Sequence, residues 1–94
     1  MEKKDCKIGM FVSVMQNTSS LSKNRSKTKR IGKITGIYED YANLLLFESN
    51  AKEIDWTNNN EDIVIKRKLY NESYKFPEIC KIERNIINII DDNG

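Results

Sequence analysis

The chain has no histidine among its 94 residues. That absence removes the commonest general base, the Ser-His and Cys-His nucleophile systems, and imidazole metal sites. Carboxylates remain, but no motif arranges them for catalysis, so the expectation is a protein that is not an enzyme and carries no cofactor or metal. Cysteine is scarce too. Cys6 and Cys80 are too few for a disulfide framework or a zinc site and read as reduced, part-buried thiols. Long apolar runs are missing: nothing approaches the roughly 20 residues that cross a bilayer, and no apolar run of signal-peptide length follows the charged residues 1–7. The expected location is the cytoplasm, with no membrane partner. The Asn-x-Ser/Thr triplets at Asn17, Asn24 and Asn71 therefore carry no expectation of glycosylation.

What is present fits one small folded domain over residues 1–94, with 38% hydrophobic and 32% charged residues. The net charge of +2 conceals an asymmetry. Residues 1–37 hold nine Lys/Arg against two Asp/Glu, and residues 38–94 hold seven against twelve. A basic half and an acidic half can steer an anionic partner to one face. The abundance of Ile, Lys and Asn fits an AT-rich coding genome, such as those of some bacteria and their phages.

Apolar residues recur mostly with the strand period of two. In residues 7–15, Ile8, Met10, Val12 and Val14 share one face, with Phe11 and Met15 on the other. Residues 16–30 read as a long polar, flexible loop in which Leu21 is the only aliphatic side chain. Residues 31–38 form a second strand whose two glycines mark a bend or close approach. Residues 39–43 turn, and 44–49 form a third, central strand, completing a hairpin with a five-residue connection. Residues 63–70 are a fourth strand, 71–75 a turn, 76–79 a helical turn with Pro77 in its first positions, and 80–84 a fifth strand. Residues 85–94 have both helical spacing and strand-favouring isoleucine, so their conformation stays open.

The expected fold class is all-β, a five-stranded barrel with a long basic loop after the first strand and a short helical turn before the last. Two segments, Lys7-Ile8-Gly9-Met10-Phe11-Val12-Ser13-Val14 and Ile31-Gly32-Lys33-Ile34-Thr35-Gly36-Ile37, resemble the opening strands of KOW and Tudor-like modules within the SH3-like barrels. Phe76-Pro77-Glu78-Ile79 before Lys81-Ile82-Glu83 resembles their helical turn and closing strand. KOW modules join the two opening strands by a short loop, whereas here residues 16–30 intervene. The resemblance implies a binding module, often for RNA, DNA or a protein that handles them.

The candidate binding residues follow from charge and aromaticity. Lys23, Arg25, Lys27, Lys29, Arg30 and Lys33 place six cations within eleven residues, a cluster that phosphate backbones reward through counterion release. A solvated loop without a partner is the bland alternative. Lys66 and Lys68 form a second cluster on one face of the fourth strand, with Arg67 on the other. Lysines there also guard an edge against aggregation. Tyr41 and Trp56 are the candidates to stack a base, although Trp56 and Tyr38 suit a core cap better. Tyr41 is expected to be the most exposed of the three. Ile86, Ile87, Ile89 and Ile90 need cover, first from the barrel and second from another copy of the chain in a homodimer. The acidic residues 39–62 suit an ordinary surface more than a phosphate mimic.

Two functions remain after these exclusions. One is binding of RNA or DNA through the basic loop. The other is a phage- or mobile-element-type protein that binds and inhibits a host nucleic-acid-handling defence complex through protein–protein contacts.

Overall fold

A computed structural model describes residues 1–17, 27–57 and 60–90, with Asn17 and Lys27 described by their backbone alone. The chain is mainly β: β1 (Phe11–Asn17), β2 (Lys27–Ile37), β3 (Tyr41–Ser49), β4 (Ile63–Lys75), β5 (Cys80–Lys81) and β6 (Ile86–Asn88). They form one sheet in the order β5-β1-β2-β3-β4-β6. Neighbours are antiparallel except β4 and β6, which run parallel. The only helical pieces among the described residues are single 3-10 turns at Lys3–Asp5 and Phe76–Glu78. No described helix is long and apolar enough to cross a membrane.

The sheet has to curl. Its edge strands β5 and β6 are separated by residues 82–85 alone. Five peptide steps reach at most about 18 Å, whereas six flat strands would set those edges about 24 Å apart. The result is a curled half-barrel. The chain leaves β4, turns at Phe76–Glu78, pairs with β1 as β5 and returns to β4 as β6.

Alternation sorts the side chains into two cores. Val12, Val14, Ile34, Leu44 and Leu46 are buried on one face, closed by Phe76 and Ile79. Ile31, Phe47, Ile63 and Ile65 are buried on the other, covered by Ala51, Ile54, Trp56, Ile82, Ile86 and Ile90. Each fully buried Leu or Ile contributes about 1.5–3 kcal/mol relative to exposure. Ser13 is the buried polar residue among those described, and no buried side-chain nitrogen or oxygen there lacks a partner. Gly32 serves close approach: a Cβ there would lie 3.1–3.3 Å from Leu46 and Leu44.

Several expectations need correction. The strands number six, because Ile86–Asn88 gains backbone partners on β4; the helical turn thus precedes the fifth strand and not the last. The expected turn at 71–75 is a continuation of β4, paired with Tyr41–Leu45 of β3. The hairpin connection is residues 38–40, shorter than expected, and a bulge at Thr35 takes up the register. The first strand begins at Phe11, because Gly9 adopts φ +87° and leaves Ile8 exposed. The region 16–30 is not all loop. Residues 16–17 end β1 and 27–30 begin β2, paired with each other. Residues 18–26, the rest of the expected loop, lie outside the described residues.

Candidate functional site

β2 carries the basic segment as a strand, so its side chains alternate. Lys29, Ile31 and Lys33 share one face; Ile31 is buried between the two lysines, whose ammonium groups reach neighbouring rings. Lys29 Nζ lies 4.1 Å from the centre of the Trp56 indole. Lys33 Nζ lies 5.7 Å from the Phe11 ring, its cross-strand partner. Both contacts are cation–π in kind. The intervening Arg30 donates from its Nε to Gln16 Oε1 at 3.2 Å. The Gln16 amide in turn donates to the Tyr70 hydroxyl and, at 3.1 Å, to Glu72. Glu72 also accepts the Tyr74 hydroxyl proton at 2.8 Å. Burial, then that acceptor, pushes the Tyr74 phenol well above its ordinary value.

Trp56 is held from several sides. Its Nε1–H donates to the Ala51 carbonyl at 2.9 Å. The Arg84 guanidinium carbon lies 4.8 Å from the ring centre. Arg84 itself donates to the Glu61 carbonyl at 3.0 Å and the Asp55 carbonyl at 3.2 Å. Asp55 folds the turn that presents the indole. Its Oδ1 accepts from the Thr57 hydroxyl at 2.6 Å and the Thr57 N–H at 3.0 Å. Those bonds, with the nearby Arg84 charge, hold the Asp55 carboxyl below its ordinary value.

Three hollows share Lys29, and Trp56 lines the first and third of them. One, of about 390 Å³, is walled by Trp56, Met15 and Thr28, with Lys29 and Lys52 at its rim. A second, of about 370 Å³, shares Lys29, Ala51 and Lys52 with the first and adds Arg30, Lys66 and Arg67. A third, of about 150 Å³, lies among Ser13, Trp56, Lys81 and Arg84. Glu48 and Glu53 are the carboxylates of the second hollow, and Glu48 is paired to Arg67 at 2.8 Å. Lys29, Arg30, Lys52 and Lys66 have no carboxylate within ion-pair distance among the described residues.

Strand alternation does not place the second cluster correctly. β4 carries extra residues opposite the Leu45–Phe47 and Glu48–Ser49 steps of β3. These bulges re-aim the side chains. Lys66 and Arg67 therefore line the same hollow, while exposed Lys68 does not. Lys68 sits where β4 has run beyond its pairing with β6, in keeping with an edge lysine.

The aromatics also separate. Trp56 joins the basic segment, and as expected it is partly buried against a core. Tyr41 does not join it. It pairs with Lys75 at the far end of the β2–β3 hairpin, about 26 Å from Lys29 along the strand. There it stacks on Tyr38, with ring centres 4.9 Å apart and planes at 19°. Tyr38 is no core cap: it is 45% exposed against 39% for Tyr41, so Tyr41 is not the most exposed of the three. Of the isoleucines, Ile86 and Ile90 pack on the core and Ile87 and Ile89 are 44% and 63% exposed. Lys23 and Arg25 lie outside the described residues, and Lys27 is placed by its backbone pairing with Asn17.

Sequence reasoning missed Lys52, Arg67, Lys81 and Arg84. The first, third and fourth are isolated cations with no local signal. Arg67 belonged to a noticed cluster but was assigned to the opposite face. No family model, curated protein or solved structure matches this chain.

Proposed function

We propose that this protein is a non-catalytic binding module whose ligand is nucleic acid, held on the basic face around Trp56. The observation that carries the proposal is the pair of joined hollows rimmed by Lys29, Arg30, Lys52 and Lys66, cations free of carboxylate partners among the described residues. Unpaired cations in a concave setting raise the local potential and reward phosphate through counterion release. The likeness of the β1 and β2 segments to KOW-like strands supports the same reading. Anisotropy of a labelled oligonucleotide at low salt tests it. Binding that weakens steeply as salt rises is expected; no detectable binding at low salt would overturn the proposal.

A second reading is favoured by exposed Ile87 on edge strand β6 and exposed Ile89 just past its end. In that reading the isoleucines dock on a protein of the nucleic-acid machinery, as an inhibitor of a host defence complex would. Binding to a purified nucleic-acid-handling complex that survives nuclease treatment and is lost in Ile87→Ser/Ile89→Ser supports it. Binding unaffected by those substitutions removes it.

A further inference from the structure

We infer that the hollow beside Trp56 is a base-stacking slot, and that the ligand is therefore single-stranded nucleic acid rather than a closed duplex. The inference rests on the nucleic-acid reading above and gives it a substrate class.

The walls of the slot have the two chemistries of a nucleotide. The indole of Trp56 and the thioether of Met15, a residue 48% exposed, are apolar. Lys29 and Lys52 at the rim supply ammonium groups for a phosphate. A volume of about 390 Å³ lies within the range of small-ligand pockets. The adjoining hollow, reached across Lys29 and Lys52, offers Arg30 and Lys66 to the next phosphate along a chain.

The indole is a fixed platform, since Ala51 accepts its N–H and Arg84 is tied to two backbone carbonyls beside it. Lys29 is the movable part. It sits over the ring by a cation–π contact alone, without an ion-pair partner among the described residues. An arriving base competes with the ammonium for the same ring face, and its broader stacking contact displaces the lysine. The displaced Lys29 then meets the phosphate that accompanies the base. Lys33 repeats the arrangement on Phe11, four residues along the same strand. A base inside a duplex is already stacked on both sides and paired at its edge, so only an unpaired strand can offer its bases to such a slot.

Trp56 is the chain's only tryptophan, so its emission reports the surroundings of this indole and of no other. The full chain is titrated with labelled oligo(dT), with a duplex of equal length and with thymidine monophosphate, reading label anisotropy and tryptophan emission together. Oligo(dT) should quench Trp56 in step with binding, while the duplex binds about tenfold more weakly or worse and leaves the emission unchanged. Trp56→Leu should lower oligo(dT) affinity about tenfold without changing its salt dependence. Met15→Ser, at an exposed site that does not support the fold, should weaken oligo(dT) several-fold.

Saturation without any change in emission overturns the slot and leaves the nucleic-acid reading standing. So does a duplex that binds as tightly as oligo(dT). Monophosphate binding as tight as the polymer replaces the single strand with a free nucleotide. Failure of every probe to bind removes both proposals.

Discussion

Replacing Lys29, Arg30 and Lys66 together by alanine removes three of the four cations that rim the joined hollows without a carboxylate partner among the described residues, Lys52 being the fourth. Each single-strand phosphate neutralised contributes about 0.7 to the slope of log K against log salt. Four contacts give a slope of about −2.8, so a fourfold rise in salt weakens binding about 50-fold. With Lys52 alone the slope is about −0.7 and the same rise costs about 2.6-fold. Lys23, Arg25 and the remaining cations contribute equally to both proteins. The quantity tested is therefore the difference in slope, about 2. The assay is anisotropy of a labelled oligonucleotide across a sodium chloride series, with Lys68→Ala as control because that lysine lies outside the hollow. An unchanged slope in the triple variant refutes the assignment of the interface to this face. A loss in Lys68→Ala equal to that in Lys66→Ala would refute the bulge-directed placement of the second cluster.

Gly32→Ala should lower stability by about 1–3 kcal/mol through overpacking, since its Cβ meets Leu44 and Leu46 in the core; Gly36→Ala meets the far end of the exposed Tyr38 ring and should cost less, with chemical denaturation of both variants as the measure. Arg84→Ala should cost roughly 1 kcal/mol and shift the Trp56 emission to the red as the indole loses a neighbour and two turns lose a hydrogen bond each. Ile86→Ala should lower the thermal midpoint, whereas Ile89→Ser should change stability by no more than about 0.5 kcal/mol. A thiol reagent should modify exposed Cys80 in the native protein and buried Cys6 only on unfolding. Burial pushes the Cys6 thiol above its ordinary 9.0. Its contribution to stability is thus complete below that pH and declines above it, where the unfolded chain gives up its proton first; a Cys6→Ala variant should lack that component in alkaline denaturation.

Much of the fold is legible along the chain because a strand's pattern is local. Val12, Val14, Ile63 and Ile65 announce their faces by alternation, and all are buried; the unbroken run 44–47 announces a strand but not which of its faces holds Leu44 and Leu46. The helical turn at Phe76–Glu78 is legible in Pro77; the structure adds the Glu78 carboxylate, which accepts the Lys75 N–H at 2.9 Å. The polar half of β4 was not legible. Residues 71–75 carry turn-forming Asn71 and Ser73, yet β3 offers the segment a full ladder of partners. Backbone hydrogen bonding outweighs their weak local preference. β6 was hidden for the same reason, since its partner on β4 lies more than twenty residues earlier.

The candidate site divides in the same way. Sequence alone determined that this is a β-rich chain without the histidine chemistry of most hydrolytic sites, and that its cations crowd into residues 23–33. Composition and period suffice for those conclusions because each depends on neighbours a few residues apart. Only the tertiary structure decided which cations act together. Curling of the sheet brings residues 51–57 and 82–90 onto the Ile31 face, which sets Lys29 and Arg84 over Trp56. Two bulges in β4 turn Lys66 and Arg67 into one hollow and leave Lys68 outside it. Those arrangements arise from pairing register and chain reversal across long separations, and no local window of sequence contains them.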